Sequence, residues 1–334
     1  MRVTVEDIAR LAGVSKATVS RVINNNPKGV SEETRKKVLK IVANMNYQKN
    51  PYAENYTPSH SRTVGLIIPD ITNPFFSELA MAVENYSSDN GYTVFLGSSN
   101  LSTEKEERYI ATFIAKKVDG IILTSTANKC MESHFLMDKY HVPCILLDRM
   151  LYGMNYTAGV FADNLLAIYH SCELMLRHGS RRIVFLSGPS EISTAKERID
   201  GYKAALEKYW IPFNKEFIKT GTYTVDSGYQ AVMELEREGR KYDGIVAAND
   251  TMALGAIRAL NELSYRIPED IEVIGFDNID FSQMCDPPLT TVQQPTIEMG
   301  RRAAELLLNA IEGRMPEKKN IRLLPKLVVR KTTR

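Results

Sequence analysis

Asp148 closes the apolar run CILLD and Asp277 closes VIGFD, so each puts a carboxylate where a buried stretch gives way to a loop. Asn249 ends GIVAAN, and Tyr223 follows FIKTGT in the same way. Asn73, Phe75 and Phe76 come just beyond GLIIPD, while Thr194 and Arg198 sit on the segment after VFLSG. Carboxylates, amides, hydroxyls, a guanidinium and aromatic rings together suit a polyhydroxylated ring. Vicinal hydroxyls pair well with bidentate planar groups, and an aromatic ring can cover the apolar face of a sugar. Asp70, one turn earlier, reads as a turn or structural residue. Asp148, Asp277 and Arg198 could also be arranged as acid and base. Nothing supplies an activated nucleophile, however: there is no G-x-S-x-G, no metal cluster and no phosphate-cradling glycine loop, and GPS at 188–190 is not one. The reading is binding without catalysis: no catalytic residue, no metal and no cofactor.

Elements must bring those residues together. Short runs rich in β-branched residues recur at TVGLIIPD, TVFLGSS, GIILTS, PCILLD, RIVFLSG, FIKTGTY, GIVAAND and IEVIGFD. Amphipathic segments separate them, at 74–90, 102–117, 163–178, 194–208, 226–238 and 251–264. Strand–helix alternation predicts parallel sheets with helices on both faces. In such sheets ligands bind beyond the carboxyl ends of the strands, which is where the polar residues fall. This part of the chain is large for one core and comfortable for two.

The first sixty residues differ in kind. In VTVEDIARLAGVSKATVSRVIN, Thr4 and Asp7 have capping-box spacing, and Val5, Ile8, Ala9, Leu11 and Ala12 form a helical stripe. Gly13 stops that helix and Ser15 caps the next, with Val14 and Val19 placed as a hydrophobic staple. Val19, Val22 and Ile23 give the second helix an anchoring face. Lys16, Ala17, Ser20, Arg21 and Asn24 give it a small, polar, basic one. Two short helices joined by a tight turn predict a helix-turn-helix, whose second helix enters the major groove of DNA. Residues 1–62 carry eleven basic and five acidic side chains, a net +6, on a chain of +2, which leaves −4 for the rest. A surface that meets phosphate needs such a balance.

TVEDIARLAGVSKATVSRVIN, followed by VSEETRKKVLKIVANMNYQKNP, resembles the headpiece of the LacI/GalR family of bacterial transcription regulators. The resemblance runs on through TVGLIIPDITNPFF, VDGIIL, NDTMALGAIRAL, IEVIGFDN, LTTVQQP and LVVR, and spans essentially the whole chain. It implies a third headpiece helix, which the residues support. Ser31 caps it, Glu32 and Glu33 lie in its first turn, and Val38, Leu39, Ile41, Val42 and Met45 face inward. It implies an all-α helix-turn-helix headpiece at 1–49, a hinge at 50–61 and an α/β body of two Rossmann-like lobes, as in periplasmic sugar-binding proteins. The lobes are expected at 62–160 plus 291–320 and at 161–290 plus 321–334, with a helix at 295–312 returning to the first. The lobe duplication cannot be seen in the letters.

The family's effector contacts fall on Asn73, Phe75, Phe76, Asp148, Thr194, Arg198, Tyr223, Asn249 and Asp277. DNA contacts are expected from Lys16, Ala17 and Arg21 to bases, and from Thr4, Ser15, Thr18 and Asn24 to phosphates. Ser20 shares their face, and the hinge adds Asn50 and Tyr56. The hinge departs from the family at Tyr56, where a leucine normally wedges into the minor groove. The expected function is a cytoplasmic, homodimeric repressor of a palindromic operator, controlled by a sugar or sugar derivative. The alternatives are control by a protein partner such as a phosphocarrier, or a sugar-binding protein with no regulatory role. No apolar run is long enough to span a membrane. The N-terminus is not a signal peptide, and the four scattered cysteines suit a reduced compartment.

Overall fold

The computed structural model describes residues 4–23, 29–45, 61–126, 129–314 and 317–334. Asn24, Asn50, Tyr56 and all but the last residue of the expected hinge lie outside them. The chain forms two compact units, one ending at Ser59 and one beginning at His60.

In the first unit, α1 (Val5–Ala12), α2 (Lys16–Ile23) and α3 (Glu32–Asn44) share one small core. The Thr4 hydroxyl oxygen accepts from Asp7 N at 3.3 Å while an Asp7 carboxylate oxygen accepts from Thr4 N at 3.1 Å, which completes the capping box. Gly13 takes φ +67°, a left-handed turn that costs glycine nothing. Ser15 caps α2 by accepting from Thr18 N, and Ser31 caps α3 by accepting from Thr34 N. Ile8, Ala9, Ala12, Val19, Val22 and Val38 are buried, with Val14 packed beside them. Leu11 and Leu39 do not join this core and are 56% and 44% exposed. At about 100° per residue, Ala12 and Val38 take the inward places and turn their leucine neighbours outward.

The second unit carries two six-stranded sheets. The first comprises β1 (Thr63–Ile68), β2 (Thr93–Ser98), β3 (Gly120–Leu123), β4 (Cys144–Leu147), β5 (Ala158–Ala162) and β11 (Asn320–Leu323), in the order β11-β5-β4-β3-β1-β2, all parallel. The second comprises β6 (Ile183–Ser187), β7 (Ile218–Thr220), β8 (Gly244–Ala247), β9 (Glu272–Asp277), β10 (Thr290–Gln293) and β12 (Lys326–Val328), in the order β12-β10-β9-β8-β6-β7. Only β12 runs antiparallel there, against β10. The first five strands of each sheet follow one winding, and the late strand joins the same edge in both. The repeat that the letters hide is therefore plain in the topology.

The helices α4 (Pro74–Asp89), α5 (Thr103–Ala115), α7 (Asn164–Arg177), α8 (Ser193–Lys208), α9 (Val225–Arg237), α10 (Asp250–Glu262) and α12 (Thr296–Ile311) match the amphipathic segments to within two residues at each end. The short helices α6 (Glu132–Lys139) and α11 (Phe281–Met284) and the strands β5, β10, β11 and β12 lie outside the amphipathic segments and β-branched runs named above. The chain passes from one sheet to the other after β5, β10 and β11, which end at Ala162, Gln293 and Leu323. α12 packs on α4 and the first sheet. The core covers both faces of each sheet, and Val64, Ile67, Ile121 and Leu146 are shut off from solvent in the first, with Val184, Ile245 and Ile274 in the second.

Candidate functional site

The helix-turn-helix presents one face of α2 to solvent. Lys16, Ala17, Ser20 and Arg21 are exposed, while Val19 and Val22 anchor the opposite side. The Lys16 ammonium lies 2.7 Å from a carboxylate oxygen of Glu6 on α1, and both side chains are open to water. The Thr18 hydroxyl is hydrogen-bonded to that of Ser15 at 2.9 Å. Of the ten expected DNA contacts, seven are described, all in α1, α2 or their caps.

A cleft lies where the carboxyl ends of the two sheets meet, and it brings together all nine residues named for it from the sequence. Asn73, Phe75 and Phe76 come from the turn into α4, with the two rings edge to face at 5.0 Å. Asp148 follows β4. Thr194 and Arg198 project from the first turns of α8. Tyr223 and Asn249 come from beyond β7 and β8, and Asp277 ends β9. The cavity among them is about 40 Å³, room for a few water molecules.

The charged groups are held tightly. Arg198 donates from Nε to Asn164 Oδ1 at 2.9 Å and from an Nη to the Ala248 carbonyl, and its plane lies 3.8 Å over the Phe276 ring. Asp277 accepts from Gln294 Nε2 at 2.8 Å. Burial pushes the Asp277 carboxyl well above the usual range and that of Asp148 up too, although Arg149 and Arg198 oppose this at Asp148. Asn73 and Asn249 spend their amide oxygens on capping α4 and α10, so part of each is scaffold. Asp70 accepts from the Thr72 backbone and hydroxyl, as a turn residue does, yet it also lines the cleft.

Family models match at residues 4–50, as bacterial regulatory proteins of the lacI family, and at 172–333, as a periplasmic binding protein-like domain. The HTH-type transcriptional repressor PurR of Vibrio vulnificus (strain CMCP6) is 36% identical over 334 residues, covering 99% of this chain and 98% of its own. The chain belongs to the lacI family of bacterial regulatory proteins. Among solved structures it is similar to the lac repressor dimer bound to operator and the anti-inducer ONPF, with a TM-score of 0.78, 28% identity and 100% and 99% of the two chains covered. It is also similar to the complex of the transcriptional regulator CelR with cellobiose, with a TM-score of 0.75, 30% identity and coverage of 99% and 100%. As a lacI-family member the chain is a DNA-binding transcriptional regulator, and its cleft is the place where the two lobes of that fold meet.

The cleft of this lacI-family protein also contains Arg149, which stands with Asp148 at the polar end of CILLDR, and Leu101, Thr222 and Gln294, which the sequence did not single out. Gln294 had a signal, since it lies in LTTVQQP just beyond the end of β10. Leu101 and Thr222 had only their place in a loop. Among the described residues no group of histidine, cysteine and carboxylate side chains is placed to hold a metal ion, and no helix is long and apolar enough to cross a membrane.

Proposed function

We propose that this chain is a repressor that binds a palindromic operator as a homodimer, and that a sugar or sugar derivative held in the interlobe cleft sets its affinity for DNA. The observation that carries the reading is the convergence of nine side chains, from six different strand or helix ends, on one cleft. Solved relatives offer both halves of it: CelR in complex with cellobiose, and the lac repressor dimer with its operator and an anti-inducer. The protein acts in the cytoplasm and has no enzymatic activity of its own.

On DNA, the exposed face of α2 enters the major groove. Arg21 pairs with guanine and Lys16 reaches a neighbouring base, exchanging its Glu6 partner for the groove. Thr4, Ser15 and Thr18 hold phosphates and fix the register. One headpiece covers half a palindromic site, so two copies are needed, and α4 and α10 supply their interface. In the cleft, Asp148 and Asp277 accept from ligand hydroxyls, Arg198 donates to a ligand oxygen, and Phe75, Phe76 and Tyr223 cover the ring. The ligand influences DNA binding only by favouring one arrangement of the lobes over another.

Selection of DNA from a random pool by the full-length chain, followed by anisotropy titrations of the selected duplex with and without a panel of sugars, tests the reading. The expected outcome is a two-fold symmetric consensus and at least one sugar that changes the affinity. A symmetric consensus with no sugar response would shift control to a protein partner.

A further inference from the structure

Four polar atoms in the cleft are cut off from solvent and have no hydrogen-bond partner among the described residues: Asp148 Oδ1, Arg149 Nε, Tyr223 Oη and Gln294 Oε1. An ionised Asp148 and the Gln294 oxygen only accept, Arg149 Nε only donates, and the tyrosine hydroxyl does both. Buried groups of this kind are costly unless something pairs with them. A ligand that pairs with all four must both donate and accept along one edge. A hydroxyl does so; a carboxylate or a phosphate only accepts.

Charge narrows the choice further. Two buried guanidiniums, Arg149 and Arg198, face two buried carboxylates, Asp148 and Asp277. Each arginine has part of its guanidinium committed to the protein, and what remains lies beside a carboxylate. Arg198 has spent Nε and one Nη on Asn164 and Ala248, with its face on Phe276. Arg149 donates to the Ser125 carbonyl at 3.3 Å, and its remaining contact with Asp148, at 3.7 Å, is too long for a hydrogen bond. A phosphate would bring close to two further negative charges beside these two buried carboxyl groups. The first turn of α8 does favour an anion, since its cap Ile192 offers no side-chain acceptor. A helix end is a weaker influence than two carboxylates in direct reach of the ligand.

We propose that the cleft selects an uncharged ring edged with hydroxyls and rejects the phosphorylated or carboxylated form of the same ring. The proposal rests on the cleft being the effector site, and it makes Asp148 and Asp277 the groups that enforce neutrality. Calorimetric titration of the full-length protein with matched pairs tests it: D-ribose with D-ribose 5-phosphate, D-glucose with D-glucose 6-phosphate and D-glucuronate, cellobiose with cellobionate, and adenosine with adenosine 5′-monophosphate. For any pair that binds, the neutral member should be tighter by at least about tenfold. In the Asp148→Asn and Asp277→Asn variants that preference should shrink several-fold while neutral binding also weakens. A charged member binding as tightly as its neutral partner, or a preference unchanged in both variants, overturns the proposal. Heats from no compound at all would instead overturn the effector reading beneath it.

Discussion

Arg198 is both a ligand group and a structural one. Asn164 Oδ1 and the Ala248 carbonyl depend on it, so Arg198→Ala should abolish any effect of ligand on DNA binding and also cost about 1–3 kcal/mol of stability through the stranded acceptors. Asp277→Asn separates the two roles. It should lose the ligand response with the unfolding midpoint unchanged or raised, because it removes a carboxylate that burial disfavours. Urea melts beside ligand titrations distinguish the pair. Asp250 gives a second handle. It is buried at the start of α10, accepts from the Thr291 hydroxyl and from Ile279 N, and burial lifts its carboxyl to about 7. A carboxyl whose folded value lies above its unfolded one stabilises the fold at low pH, and that stability is lost as pH rises through the folded value. The urea midpoint should therefore fall between about pH 4 and pH 8, by an amount of order 4 kcal/mol from this group if the full shift is expressed. Glu106 and Glu272, both held below the ordinary range, act only at more acidic pH. Asp250→Asn should flatten the slope and lower the acid-side plateau. An unchanged slope would mean that Asp250 ionises normally.

At the scale of the element, α9 and α10 meet through glycine. A Cβ on Gly255 would stand 1.9 Å from the Val225 carbonyl oxygen, and one on Gly228 would stand 2.0 Å from that of Met252. The helices must part to admit a methyl group, so Gly255→Ala should lower stability by about 3 kcal/mol, read as a fall in the thermal midpoint. An unchanged midpoint would show that the helix pair yields easily. The recognition helix makes a different prediction. With Arg21 exposed on α2 and Val19 and Val22 buried behind it, Arg21→Ala should leave folding intact while losing roughly 1–3 kcal/mol of discrimination at one base pair. Equal losses on selected and random duplexes would show that Arg21 meets only the backbone. These elements were legible in advance because their period, caps and stops agree. Thr4, Gly13, Ser15 and Ser31 each act where their chemistry directs. Less legible were β5, whose AGVFA has one β-branched residue among three small ones, and α6, which spans only two turns. Leu11 and Leu39 were misjudged because an apolar letter one step off the stripe looks like part of it. In the cleft, strand-end residues were readable and Gln294 could have been; Leu101 and Thr222 arrive through loop paths that only the fold determines.

For the whole molecule, the two lobes are tied at separate points. Met150 N donates to the Ser193 hydroxyl at 2.9 Å, and Arg322 on β11 reaches Glu197 on α8 at 3.0 Å. Glu197 also accepts from Asn164 at 3.0 Å, and Asn164 in turn holds Arg198. A crossing strand is thus joined to a cleft arginine by three hydrogen bonds. Replacing Arg322 with Gln should shift the ligand concentration for half-effect by roughly twofold to fivefold, the worth of a partly exposed pair, with operator affinity in the absence of ligand nearly unchanged. Equal shifts in both quantities would place Arg322 outside this link. The Arg149 guanidinium also joins the lobes, with its centre 5.6 Å from the Phe76 ring of one and 5.9 Å from the Tyr223 ring of the other. It lies between the two rings, and drug-sized ligand pockets usually measure several hundred Å³ against about 40 Å³ here. Entry must therefore wait for the lobes to part. In stopped-flow mixing the observed rate should rise with ligand at first and then level off at the opening rate, independent of further ligand. Removing the guanidinium that touches both lobes, as Arg149→Ala, should lift that ceiling, so the speed of the response would be set by the parting of the lobes and not by how fast the metabolite diffuses.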